Sequence, residues 1–354
     1  MTLDNALSLI SPPFESSKLK AKEKLDKMAK PIGSFGEIES IIIKASGILG
    51  DGELDFGKKC VIVFCADNGV VDEGISQSTS EVTSIVAEKI ARGEGNISCV
   101  CRSVGADVFV VDVGMKNDGL SSKIDNKKIK NGTNNIRLMP AMTRSECIRA
   151  IEVGINKVVE LKNMGYKLFA FGEMGIGNTS SSLAVASALL ELDVYSYVGV
   201  GAGLKSSLLE NKARVISQAI NKNSPNKNDV LDVLSKLGGF DICAMTGAFL
   251  ACSALRLPCI IDGVISSVSA LCGFKLNKLV SSYLFPSHLS RERLMERVMR
   301  ELELKPILDF GMYLGEGTGA AMLMPIFDIA QNIYNEMGSF SDFKLKEYED
   351  YRGR

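Results

Sequence analysis

Residues 59–80 read KCVIVFCADNGVVDEGISQSTS, and this stretch decides the fold. After Lys59, the seven residues CVIVFCA are an unbroken apolar run with β-branched Val61, Ile62 and Val63, which predicts a strand over 59–66 buried on both faces. A polar loop follows, and apolar positions at helical spacing predict a helix over 81–104. Moving toward the C-terminus, the same order recurs. A strand DVFVVDV (107–113) is followed by a loop holding NGTNNIRLMPAMT and a helix over 143–164. A strand KLFAF (167–171) is followed by the loop GEMGIGNTS and a helix from 180. Further on come an expected short strand near 196–200, the loop GVGAGLKSS, a helix, and a strand PCIID (258–262). Toward the N-terminus, a helix over 17–29 leads into a turn at Pro31, Gly33 and Gly36 and then a second helix. Strands alternating with helices define the α/β class with a doubly wound parallel sheet, which binds ligands beyond the carboxyl ends of its strands. The two chain ends are mainly helical and are expected to pack as a smaller helical domain. This divides the chain into 1–55, a large sheet domain over 56–305, and a C-terminal segment over 306–354.

Composition narrows the function. The 354 residues carry 41 basic and 42 acidic side chains, a net charge of −1, which argues against a broad basic surface for nucleic acid or an anionic membrane. No apolar stretch is long enough to span a bilayer, and the N-terminus, with Asp4 in place of positive charge, does not read as a secretory leader. A cytoplasmic protein is expected. The nine cysteines (60, 65, 99, 101, 147, 243, 252, 259 and 272) sit mostly in apolar runs without a paired CxxC, and read as buried reduced thiols. His288 is the only histidine, so acid–base chemistry falls to carboxylates, lysine or tyrosine.

Three loops are rich in glycine: GEMGIGNT (172–179), GVGAG (199–203) and GEGTG (315–319). Glycine lets a backbone turn its N–H groups toward an anion, and a following helix N-terminus adds a favourable dipole. Leu204 separates the second loop from Lys205, so no Walker loop is formed, and no third glycine completes a dinucleotide fingerprint. Together the loops favour a phosphate-bearing small molecule, although Asn178 and Thr179 read equally well as helix caps. Glu173 and Glu316 each sit among glycines, where an acid faces either ligand or solvent. Asp67, Asp112, Asp241 and Asp262 border apolar strands or glycine pairs.

Ten segments carry a resemblance when taken in order. They are KPIGSFG (30–36), ADNGVVDEGIS (66–76), EVT (81–83), VVDVG (110–114), PAMT (140–143), GEMGIGNTSSS (172–182), GGFDICAMTGAFLA (238–251), IIDGVISS (260–267), SH (287–288) and LGEGTGAAM (314–322). Over about residues 20–335 the chain resembles the family of nicotinate-nucleotide–dimethylbenzimidazole phosphoribosyltransferases. The resemblance implies transfer of ribose 5-phosphate from nicotinate mononucleotide to 5,6-dimethylbenzimidazole, a step of cobalamin lower-ligand assembly. It also implies a Rossmann-like sheet, a homodimer, and no metal or redox cofactor.

The family assigns a general-base role to the glutamate that matches Glu316. Nucleotide contacts carry over to Glu173, Gly175, Gly177, Asn178, Thr179, Gly201, Gly203, Lys212, Asp241, Asp262 and Ser290. The base pocket is expected to draw on Ser78, Thr79, Ser80, Met174 and Leu314. Departures are Asn68 where a histidine is usual, Ala202 within the second loop, Leu289 for an arginine, and the run after Ser290. Relatives also attach other benzimidazoles, purines or phenols. Two further readings are a nicotinamide-dependent oxidoreductase, disfavoured by the missing fingerprint, and a non-catalytic nucleotide-binding subunit, disfavoured by the intact LGEGTG loop.

Overall fold

The KCVIVFCA run forms a central strand of a six-stranded parallel sheet. The computed structural model describes residues 1–118, 120–201 and 208–348. Its strands are β1 (Lys58–Ala66), β2 (Asp107–Gly114), β3 (Ile124–Asn126), β4 (Tyr166–Met174), β5 (Cys259–Ile261) and β6 (Leu284–Pro286). They lie in the order β3-β2-β1-β4-β5-β6, and every pairing is parallel. This is the doubly wound order, and it switches direction between β1 and β4. At that switch Phe64 pairs with Glu173 and Cys65 with Met174, so the crevice beyond the strand ends begins at Glu173.

The helices, in chain order, are α1 (Leu3–Leu9), α2 (Glu15–Lys27), α3 (Glu37–Leu49), α4 (Glu81–Ala91), α5 (Asn96–Val104), α6 (Arg144–Asn163) and α7 (Asn178–Leu190). They continue with α8 (Val194–Tyr197), α9 (Leu209–Asn223), α10 (Val230–Leu237), α11 (Phe240–Ala254), α12 (Val264–Leu276), α13 (Arg293–Glu301) and α14 (Thr318–Glu336). Both faces of the sheet are covered, which explains the continuous apolar runs in its strands. Along β1, Cys60, Ile62, Phe64 and Ala66 enter a core shared with α6, α7, α11 and α12. Val61, Val63 and Cys65 enter a second core, shared with α3, α4, α5 and α14. Leu25, Met28, Ile42, Ile48, Phe327 and Tyr334 join the two chain ends within that second core, and Met28 bridges to Ser339. The N-terminal α1 instead packs on the opposite layer, where the Leu3 amide donates to Glu152.

Local chemistry accounts for the departures from the sequence reading. No strand forms near 196–200: the Asp193 side chain accepts the Tyr195 and Ser196 amides and starts the short helix α8. The helix expected over 81–104 is two helices, α4 and α5, separated at Gly93, whose φ is +83°. The strands β3 and β6 are only three residues each and show no readable period. All nine cysteines are free thiols, and all but Cys99 are buried.

Helices α6 and α11 meet through two glycines. A Cβ on Gly154 would overlap the Ala244 carbonyl oxygen, and one on Gly247 would overlap the Ile151 carbonyl oxygen. Neither neighbour is a movable side chain, so extra volume must push the two helices apart. Gly154→Ala and Gly247→Ala are each expected to destabilise the protein by about 3 kcal/mol or more, read as the loss in urea unfolding free energy. A loss below about 1 kcal/mol would contradict this packing.

Candidate active site

The LGEGTG segment enters α14 through three successive residues with positive φ: Gly315 at +89°, Glu316 at +60° and Gly317 at +86°. For Glu316 this conformation is costly and needs support from its surroundings. Asp262, just beyond β5, supplies part of it: one carboxylate oxygen accepts the Gly317 amide at 3.1 Å and the other accepts the Ala320 amide at 3.0 Å. The Thr318 hydroxyl closes the turn by donating to the Gly315 carbonyl at 2.7 Å. Beneath the turn lies Gly172 of β4, where any Cβ would overlap the Glu316–Gly317 peptide. The Glu316 side chain is 7% exposed. One oxygen accepts the Asn96 side-chain amide at 3.0 Å and the other accepts the Ile97 backbone amide at 3.3 Å.

Glu316 lines a cavity of about 150 Å³ at the carboxyl end of the sheet. Twelve of the residues expected from the sequence line it: Glu173, Met174, Gly175, Gly177, Asn178, Thr179, Gly201, Lys212, Asp262, Ser290, Leu314 and Glu316. Asp241 stands one layer behind, fully buried, and reaches the wall through Asn178. Ser78, Thr79 and Ser80 are not in the wall of this chain's cavity; their loop reaches it through Ile75, Ser76 and Gln77. Gly203, like the Ala202 departure, lies outside the described residues. The sequence reading missed Asn96, which contacts Glu316 across 220 positions, and missed Glu292 in the wall. His288 also lines the cavity, with Nδ1 3.0 Å from the Ser287 hydroxyl and its ring against Gly319.

Charge is divided across this cavity. At one end the Asn178 amide group donates to Glu173 and, at 2.9 Å, to Asp241. Burial pushes the Glu173 carboxyl up to about 8; Asn178 opposes this, while Asp241, Asp262 and Glu316 add to it. Burial likewise raises Asp241 to about 6, against the pull of Asn178 and the Ile242 amide. Asp262 is also raised by burial. At the other end Lys212, nearly inaccessible, donates to the Thr179 hydroxyl and the Gly199 carbonyl, each at 3.0 Å. Burial lowers its ammonium to about 8, and Glu292 opposes that. The Glu292 carboxylate accepts the Gly201 amide at 3.1 Å. Neither Asn178 nor Thr179 caps α7: its N-cap is Gly177 at φ +93°, with no side-chain bond. The first turn of α7 therefore meets the cavity beside Lys212 with its dipole uncapped, an arrangement suited to an anion.

Comparison with known proteins shows the family of the chain. A family model described as "Phosphoribosyltransferase" (DBI_PRT) matches residues 10–344. The nicotinate-nucleotide–dimethylbenzimidazole phosphoribosyltransferase of Ruminiclostridium cellulolyticum is 44% identical over 349 residues, 99% of each chain. The chain belongs to this family. The Escherichia coli enzyme of the same name is 38% identical, covering 96% of this chain and 95% of its own. The crystal structure of CobT from Thermus thermophilus superposes with a TM-score of 0.90 at 31% identity, covering 94% of this chain and all of that one. As in the rest of this phosphoribosyltransferase family, the chain is an α/β enzyme. Among the described residues no helix is long and apolar enough to cross a membrane.

The raised Glu173 sets a pH dependence. Its folded pKa of about 8 exceeds the ordinary 4.5, so the folded state holds the proton more tightly. The resulting stability is complete below pH 4.5 and is lost as pH rises through about 8. Glu173→Gln removes that loss. Its unfolding free energy should match wild type near pH 4.5 and exceed it by on the order of 1–2 kcal/mol at pH 8.5, the effect being shared within the cluster. A difference that stays constant with pH would contradict the assignment.

Proposed function

We propose that this chain transfers ribose 5-phosphate from nicotinate mononucleotide to 5,6-dimethylbenzimidazole, giving α-ribazole 5′-phosphate and nicotinate, with Glu316 as general base. The relatives' name supports the substrates. What carries the reading within the chain is the Glu316 carboxylate, held at the cavity wall on a turn whose backbone is packed against the end of β4.

The chemistry follows from the reactants. An N-ribosyl pyridinium needs no acid to depart, because the breaking C–N bond returns its electron pair to a cationic ring and frees a neutral heterocycle. As the unprotonated benzimidazole nitrogen bonds to the anomeric carbon, positive charge builds on that ring and its N–H becomes acidic. Glu316 takes this proton and, in a site with little water, also steadies the developing charge. Attack on the face opposite the leaving ring inverts the anomeric centre, which accounts for an α-linked product. The phosphate end is read at Lys212, Thr179 and Gly201, where the buried ammonium and the α7 N-terminus meet. The acids at the opposite end suit the positive ring nitrogen of the donor, and a protonated Glu173 spares its ring carboxylate one repulsion. The exposed rim, Tyr313 and Leu314, offers apolar surface to a flat acceptor.

Incubation with nicotinate mononucleotide and dimethylbenzimidazole should release free nicotinate. Glu316→Gln should keep donor affinity within about threefold while turnover falls about 10²-fold or more. No release by folded wild-type protein would remove the substrate assignment, and full turnover in Glu316→Gln would remove the base.

The same reading makes the enzyme a cytoplasmic homodimer. Supporting a second copy, α14 turns Met322 and Ile329 outward on one face, 37% and 45% exposed, with Ile326 half-buried between them. Sedimentation should give a dimer, and Ile329→Glu should shift it toward monomer. A wild-type monomer at micromolar concentration would exclude this arrangement.

A further inference from the structure

The carboxylate of Glu316 is held by an element far from its own loop. Helix α5 starts at Asn96, its N-cap is Gly95, and no side chain caps it. The Ile97 amide, in the first turn, therefore has no acceptor within the helix. It donates instead to one Glu316 oxygen, while the Asn96 side-chain amide donates to the other, at 3.3 and 3.0 Å. The break between α4 and α5 sets this position. Gly93 takes a left-handed conformation, and Gly95 lies so close to Ile90 that a Cβ would overlap that side chain. The Ser98 hydroxyl then ties the new helix back to the Ile90 carbonyl at 2.9 Å.

We propose that Asn96 is a positioning residue: by holding one Glu316 oxygen while the Ile97 amide holds the other, it fixes the carboxylate plane against rotation. This rests on the base assignment made above. A carboxylate gripped at a single oxygen can still turn about its last side-chain bond. Gripped at both, it presents its remaining lone pairs in one direction, so the bound acceptor's N–H meets a base already aligned. The other ionisable groups around Glu316 belong to different elements. Glu173 at the end of β4 lies against Gly315, Asp262 beyond β5 binds the Gly317 amide, and His288 after β6 packs against Gly319. Asn96 contributes a neutral donor on the remaining side, from the helix packed against α14.

The test uses the full-length enzyme with Asn96→Ala, Asn96→Asp and Asn96→Gln, with Glu316→Gln in parallel. Asn96→Ala should lower kcat about tenfold per folded molecule while the KM for nicotinate mononucleotide stays within about twofold. Raising the pH should not restore it. Asn96→Asp places a second carboxylate beside Glu316, so the acidic limb of its kcat–pH profile should move up by about one unit and activity should recover at high pH. Asn96→Gln keeps an amide donor and should recover part of the loss. A purely structural role would lower the melting temperature while leaving kcat per folded molecule and the pH limb unchanged, and that result overturns the proposal. If Glu316→Gln is inactive but the three Asn96 variants match wild type, positioning alone fails. If Glu316→Gln keeps full turnover, the base assignment fails and positioning fails with it.

Discussion

Two backbones meet in the site, where Gly172 at the end of β4 lies directly under the Glu316–Gly317 peptide at the start of α14. This contact brings the last long helix of the chain against the switch point of the sheet. Glu316 is thus carried by rigid elements and not by a free loop, as a precisely oriented group requires. Two neighbours complete the constraint. Asp262 binds two amides of the incoming helix, and the room left by Gly315 is filled by the Glu173 carboxylate. The glycines of GEMG and GEG therefore answer different needs. Gly172 admits a backbone, Gly315 admits an acid, and Gly317 permits the left-handed turn into α14.

Much of this was legible in one dimension. Long apolar runs such as KCVIVFCA and KLFAF announced strands buried on two faces, and the glycine loops fell where a doubly wound sheet puts its ligands. What stayed hidden depends on cooperation between distant residues. The three-residue strands β3 and β6 exist because longer neighbours offer them a ladder; their own sequence has no period. The segment YSYVGV looked extended, but Asp193 starts a helix just before it. Asn178 resembled a helix cap by position, yet its amide is drawn away by two buried acids that need a donor more. Asn96 gave no signal, since nothing in GEGNIS marks it as the neighbour of a glutamate 220 positions away.

The acids pose an electrostatic problem, because Glu173, Asp262, Glu292 and Glu316 line the cavity and Asp241 stands behind it. Burial supplies much of the answer. With Glu173 raised to about 8, that carboxyl holds its proton for most molecules at neutral pH, so the wall carries less negative charge than its composition implies. The other buried acids are engaged by donors: Asp262 by two helix amides, and Asp241 by Asn178 and the Ile242 amide. Lys212 is held at the opposite end of the cavity by a hydroxyl and a carbonyl, with the Glu292 carboxylate opposing the effect of burial on its ammonium. Glu292 stands at that same end, so an anion entering there would share Lys212 with a carboxylate already held by the Gly201 amide.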